Sequence, residues 1–321
     1  MRRHGRSTTT ASLLLLPLVA AAAVGISGCG SGSAGGNAVG AATASGPGTS
    51  AVGTVVPVVA AENFWGDITS QIGGAHVAVT SIITDPNADP HTYETDPKDA
   101  AAISSASFVV LNGVGYDDFA SKLLSASPKT GREVLSLDKV VGVTGDNPNP
   151  HLWYDPTYVT AAARAIEAEL AKTDPADSST FSANLATFLT AYQPYAATLA
   201  AIKAAYAGAP IGFTERVPGY LVAAAGLKLA TPASFAQSIE DGNDPTAADT
   251  ASIDAAMKNK TVKVLFYNAQ VTSPTTQQVK DLAKAGGVPV VGVSETIPAG
   301  QKDFQTWQID QAKAVLAALG G

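Results

Sequence analysis

The feature that most constrains this chain is a helical pattern near its middle. Residues 176–207 read "ADSSTFSANLATFLTAYQPYAATLAAIKAAYA", and only Pro194 interrupts them. An ordinary helix runs to about 11–12 residues, so this segment predicts an exceptionally long one. The chain on either side reads differently. Short runs rich in β-formers alternate with helical runs, which is the pattern of a parallel sheet with helices on both faces. A long helix between two such segments predicts two α/β lobes joined by a single long helix. The expected boundaries are residues 54–175 for the first lobe, 176–207 for the linking helix and 208–321 for the second lobe.

In the first lobe, "TVVPVVAAENFW" reads as a strand entering a helix, and "VAVTSIITDP" reads as a second strand. "DPKDAAAISSASFVVLNG" is a helix then a strand, "YDDFASKLLSAS" a helix and "REVLSLDKVV" a strand. "PTYVTAAARAIEAELAKTD" is an amphipathic helix punctuated by Pro175. In the second lobe the strands are "APIGFTE", "VKVLFYNAQ" and "VPVVGVSE". The helices there are "VPGYLVAAAGL", "TAADTASIDAAMKNK", "TTQQVKDLAKAGG" and a closing "DFQTWQIDQAKAVLAALGG".

The amino-terminal segment reads as processing signal. Arg2, Arg3 and Arg6 precede an apolar run from Leu13 to Val24, which is short of the about 20 residues a membrane span needs. Ile26-Ser27-Gly28-Cys29 follows and resembles a bacterial lipobox. Residues 1–28 are therefore expected to be a lipoprotein signal peptide and Cys29 the lipidated residue. Residues 29–53 are Gly/Ala/Ser/Thr-rich and uncharged, as in a flexible tether. Together they predict a body held at the extracytoplasmic face of the membrane. Loss of the three arginines takes the formal charge from -7 to about -10. No basic patch remains, which argues against nucleic acid as a partner. Cys29 is the only cysteine, so neither an intramolecular disulfide nor a cysteine metal cluster can form.

Only four histidines are present, and two lie in Pro/Asp-rich turns beside aromatics: His91 in "DPNADPHTYETDP" and His151 in "NPNPHLWYDP". In open α/β sheets ligands bind beyond the carboxyl ends of the strands. His91 and His151 fall after predicted strands of the first lobe, and Glu215 and Glu295 end predicted strands of the second. Two imidazoles and two carboxylates suit a divalent transition metal, and two carboxylates neutralise a dication. Each imidazole is expected to donate its remaining N–H to an oxygen that fixes the ring. His76, in "IGGAHVAV", has no polar company in sequence and reads as an ordinary loop residue; His4 lies in the signal segment.

The motifs "DPHTYETDPKD", "NPHLWYDP", "GFTERVPGYLVAAAGL" and "VPVVGVSETI" resemble the manganese/zinc solute-binding lipoproteins of bacterial ABC transporters, the cluster A-I type. The resemblance covers about residues 54–321. It implies two α/β lobes bridged by one rigid helix, with the metal between them. It also implies His91, His151, Glu215 and Glu295 as ligands. Glu215 stands where members linked to manganese carry glutamate. Glu295 stands where aspartate is common, which is a departure, and the His/Asp/Glu-rich loop of many zinc-type members is missing. The metal expected as transported ligand is Mn2+ or Zn2+, with the oxygen-rich set favouring manganese. The implied partners are an ABC permease with its cytoplasmic ATPase, and the protein is expected to be a monomer and not an enzyme. The alternative reading is an extracytoplasmic metal-dependent hydrolase, which would need an open metal position for water.

Overall fold

The computed structural model describes residues 55–85 and 93–321. The expected signal segment and tether, Cys29 and His91 lie outside the described residues. Two four-stranded parallel sheets carry the architecture. The first contains β1 (Val56–Glu62), β2 (Val77–Ile83), β3 (Phe108–Leu111) and β4 (Glu133–Ser136), ordered β2-β1-β3-β4. The second contains β5 (Pro210–Phe213), β6 (Lys228–Leu229), β7 (Val264–Asn268) and β8 (Val290–Val293), ordered β6-β5-β7-β8. The two orders are the same. In each sheet the chain steps to one side and then returns to the other, so each has a switch point between its first and third strands, where open sheets bind ligands.

The first lobe carries α1 (Asn63–Gly73), α2 (Pro97–Ser105), α3 (Asp118–Ala126), α4 (Leu137–Val141) and α5 (Pro156–Thr173). The bridge, α6, runs from Ser178 to Tyr206. The second lobe carries α7 (Gly219–Ala224), α8 (Ala233–Glu240), α9 (Ala247–Lys258), α10 (Pro274–Gly286) and α11 (Phe304–Leu319). None of the described helices is long and apolar enough to cross a membrane. Caps fix several starts. Asp96 and Asp99 form a capping box at α2, and Asp155 caps α5 ahead of Pro156. Two details depart from the sequence reading. "DKVV" forms the short α4 rather than extending β4, and β6 with α8 was not anticipated.

The bridge explains why the two lobes share a core. Its buried residues are Phe181, Leu185, Phe188, Tyr192, Tyr195, Leu199 and Ile202, an alternating four- and three-residue spacing that makes one stripe. That stripe packs on α1 and α5 of the first lobe and α11 of the second. Phe304 of α11 lies against Phe188 and Tyr192, and the Tyr195 hydroxyl donates to the Tyr154 carbonyl at 2.9 Å. Pro194 costs the helix one amide donor, but its own carbonyl accepts from Thr198 Oγ1 at 2.8 Å.

A second seam joins the lobes along α1. Asn63 exchanges hydrogen bonds with Ile297, and Asp67 accepts from the Phe304 amide at 3.0 Å. Gln71 and Gln305 pair amide to amide at 2.9 and 2.8 Å. These three α1 residues are four apart, so they share one helical face. The face binds the lobes together by several directed bonds rather than by one flexible joint.

Candidate metal centre

Three of the four sequence-expected residues come together where the lobes meet. His151 precedes a short 3-10 turn (Leu152–Tyr154), while Glu215 and Glu295 each lie two residues past β5 and β8. All three are buried, at 0%, 1% and 0% exposure. His151 Nε2 lies 3.5 Å from Glu295 Oε2. His151 does lie in the turn expected from the sequence, and its ring is wholly enclosed there, packed edge-on against Trp153 and Tyr116. The fourth expected residue, His91, lies outside the described residues.

The orientation of His151 comes from Asn149. Its side-chain oxygen is 2.6 Å from Nδ1, and it also accepts the His151 backbone amide at 3.1 Å. An amide oxygen at Nδ1 requires that nitrogen to carry a proton, and it leaves Nε2 as the ring nitrogen that faces Glu295. The fixing oxygen is thus an amide rather than a carboxylate. Asn149 is itself held from the second lobe: its amide nitrogen donates to the Arg216 carbonyl at 2.9 Å, and Tyr220 donates to its carbonyl at 2.9 Å.

Asn268, the last residue of β7, sets the spacing of the two carboxylates. Its amide nitrogen donates to Glu215 Oε2 at 2.8 Å and to Glu295 Oε1 at 2.7 Å, using both of its hydrogens. The Tyr116 hydroxyl donates to Glu295 Oε2 at 2.9 Å from across the lobes. The Gln270 side-chain oxygen accepts from the amides of Glu295 and Thr296, fixing the loop after β8. Two buried carboxylates beside one neutral amide repel each other, and a cation between them relieves that cost.

A further acidic pair lies at the first switch point. Glu62 ends β1 fully buried, and neither carboxyl oxygen has a hydrogen-bond partner among the described residues. Burial, followed by the neighbouring Asp117, raises its pKa well above the ordinary carboxylic range. Asp117 accepts from the Asn112 and Gly113 amides at 2.6 and 3.1 Å. Burial nevertheless pushes its pKa up to about 7.

Arg216, next to Glu215, closes the rim. It pairs with Glu240 at 2.7 Å and donates to the Asn147 carbonyl of the opposite lobe at 3.1 Å. A small cavity of about 100 Å³ lies beside this latch, lined in part by Tyr116, Asn147 and Arg216.

Sequence reasoning missed Asn149, Tyr116, Asn268 and Gln270. Only Asn268 carries a usable signal, since it ends a strand at the same end of the sheet as Glu215. His76 is also not what its sequence neighbours suggested. It is half-buried, and its Nδ1 lies 2.8 Å from Asp177 Oδ2.

The family model described as the periplasmic zinc-uptake complex component A matches residues 58–318. A manganese-binding lipoprotein, MntA of Halalkalibacterium halodurans, is 28% identical over 144 residues, covering 44% of this chain and 48% of the relative. The manganese ABC transporter substrate-binding lipoprotein PsaA of Streptococcus mitis is 30% identical over 156 residues, covering 45% of this chain and 50% of the relative. The chain thus spans about half the length of the curated relatives it matches. Among solved structures, the periplasmic zinc-binding protein TroA of Treponema pallidum aligns with a TM-score of 0.70 at 18% identity, covering 84% of this chain and 100% of that one. A ZnuA crystal structure aligns at 0.67 and 23% identity, covering 83% and 100%. These structural likenesses bear on the fold, which is the lobe–helix–lobe plan expected from the sequence.

Proposed function

This chain belongs to the periplasmic zinc-uptake component A family, and on that premise we propose that it is the extracytoplasmic substrate-binding component of an ABC transporter for a divalent transition metal. The ion, Mn2+ or Zn2+, is captured between the lobes and delivered to a membrane permease driven by a cytoplasmic ATPase. The observation that carries this reading is the buried convergence of His151, Glu215 and Glu295 around Asn268.

The residues divide the work. His151 offers Nε2 to the ion because Asn149 holds Nδ1. Glu215 and Glu295 supply oxygen and two negative charges, enough to neutralise a dication. His91, which follows β2 in sequence, is the fourth ligand of this reading. Entry of the ion displaces protons from any ligand that holds one, so capture weakens as pH falls. Names of relatives support both metals: MntA and PsaA are named for manganese and TroA for zinc. The carboxylate-rich donor set favours manganese, and zinc fits the same donors.

Release to the permease requires the lobes to part locally. The bridge α6 and the α1 seam favour a small shear of one lobe on the other over wide hinge closure. Lipidation at Cys29 would hold the body at the membrane, and the 29–53 tether would let a monomer reach the permease. No observation favours the hydrolase alternative, and four protein ligands would leave no position for a catalytic water.

The test is metal affinity by competition titration. His91→Gln, His151→Gln, Glu215→Gln and Glu295→Gln should each weaken binding at least about tenfold while the fold persists by circular dichroism. Parent-like affinity in both histidine variants would overturn the assignment.

A further inference from the structure

A second group of metal-ligating side chains lies at the opposite end of the first lobe. His76 sits in the short turn between α1 and β2, just before Val77 begins the strand. Asp174 is the residue that follows α5, and Asp177 is the residue that precedes α6. One ligand atom from each of the three lies within 4.8 Å of the others, and all three residues are half-buried. The cleft residues follow the carboxyl ends of strands, whereas this group lies at the amino end of β2. It is therefore a separate place in the fold.

The geometry suits an ion. Zinc-to-nitrogen and zinc-to-oxygen bonds of about 2.0–2.2 Å place the donors of a tetrahedral site about 3.3–3.6 Å apart. His76 Nδ1 and Asp177 Oδ2 are at 2.8 Å, so a small side-chain rotation that parts them admits an ion. The backbone around them is fixed independently. The Asp177 amide donates to the Asp174 carbonyl at 3.3 Å, and Asn184 of α6 donates to the Ile72 carbonyl of α1 at 3.0 Å. Phe181 meets the His76 ring edge-on, with centroids 5.9 Å apart.

The electrostatics point the same way. Asp174 stands at the carboxyl end of an 18-residue helix, where the helix dipole disfavours an anion and favours a cation. Its carboxylate makes no hydrogen bond or ion pair among the described residues. The nearby ammonium of Lys172 is turned elsewhere, to Glu133 at 3.1 Å and Glu169 at 3.3 Å. The amino end of α6 beside Asp177 opposes this dipole, so the net attraction for a cation comes from two carboxylates sharing one imidazole.

We propose that His76, Asp174 and Asp177 form a second, weaker site for a divalent transition cation, which ties the α1–β2 turn to the α5–α6 junction where the bridge begins. Three protein donors leave the remaining positions to water, so affinity is below that of a four-ligand cleft. The donors, one borderline nitrogen and two hard oxygens, fit zinc-class and manganese-class ions alike. The site does not depend on the cleft reading.

The test uses chelator-stripped protein titrated with Zn2+, followed by bound-metal analysis. The parent should bind two equivalents, the second at least about tenfold more weakly. His76→Gln and Asp177→Asn should each lose the second equivalent and keep the first. Glu215→Gln should weaken the first and keep the second, and Zn2+ should still raise its melting temperature. Mn2+ should broaden the ring proton signals of His76 in that variant. A parent that saturates at one equivalent, or a second equivalent that survives both His76→Gln and Asp177→Asn, would overturn the proposal. Parent-like binding of the first equivalent by Glu215→Gln would count against the cleft assignment alone.

Discussion

The hydroxyl of Tyr116, on the first lobe, donates to Glu295 of the second across 2.9 Å. It reaches the same oxygen that lies 3.5 Å from His151 Nε2. The bond therefore aims a proposed ligand and ties the lobes at once. Loss of such an outer hydrogen bond typically costs about 10–100-fold in metal affinity. Tyr116→Phe should show that loss by competition titration. Its melting temperature without metal should fall only slightly, since one hydrogen bond contributes about 1 kcal/mol.

Asn149 controls which nitrogen of His151 faces the cleft. Asn149→Ala leaves Nδ1 without its amide oxygen and removes one side-chain bond to the second lobe, the one to the Arg216 carbonyl. Metal affinity should drop about 10–100-fold. Asn149→Asp should retain most of the binding, because a carboxylate oxygen can still accept from Nδ1. Equal loss in both variants would show that the amide does not act through the ring.

Asn268 separates two buried carboxylates with a single amide. Asn268→Asp places a third acid in the cluster. Without metal the variant should be destabilised at neutral pH by a few kcal/mol, as buried like charges are. A divalent ion should then raise its melting temperature more than it raises the parent's. A smaller metal-induced rise than in the parent would contradict the role given to Asn268.

The metal-free protein should lose stability as pH rises. The carboxyl of Asp117, ordinarily near 4 in an unfolded chain, is pushed up to about 7 by burial. Between those values the folded chain holds a proton that the unfolded chain has released. The linked stability is complete below about pH 4 and gone above about pH 7. Glu62 acts in the same direction, raised by burial and by Asp117. Denaturant midpoints in chelator should fall from pH 5 to pH 8 in the parent and fall less in Asp117→Asn. An equal slope in both would remove Asp117 from the explanation.

Much of this was legible in the sequence, for physical reasons. Strand and helix periodicities differ sharply, so the two lobes and the long α6 could be read directly. His151, Glu215 and Glu295 stood out because strand ends gather at one edge of a parallel sheet. The two-residue β6 is too short to show a period, and "DKVV" reads as strand because β-branched residues dominate it. Tyr116 meets Glu295 across 179 positions, and His76 meets Asp177 across more than a hundred. Local pattern holds no trace of such pairs. Asn149 is a single amide of a type common on any surface, and only its folded position gives it a role, whereas Asn268 carries the weak signal of its place at a strand end.

The most direct test of the cleft site is anomalous diffraction from crystals grown with one equivalent of Mn2+ or Zn2+, recorded above and below the metal edge. Binding between the lobes predicts one dominant peak about 2.0–2.2 Å from His151 Nε2 and from oxygens of Glu215 and Glu295, with His91 as the fourth ligand. A dominant peak away from these residues, or no peak in the cleft of metal-loaded protein, would contradict it.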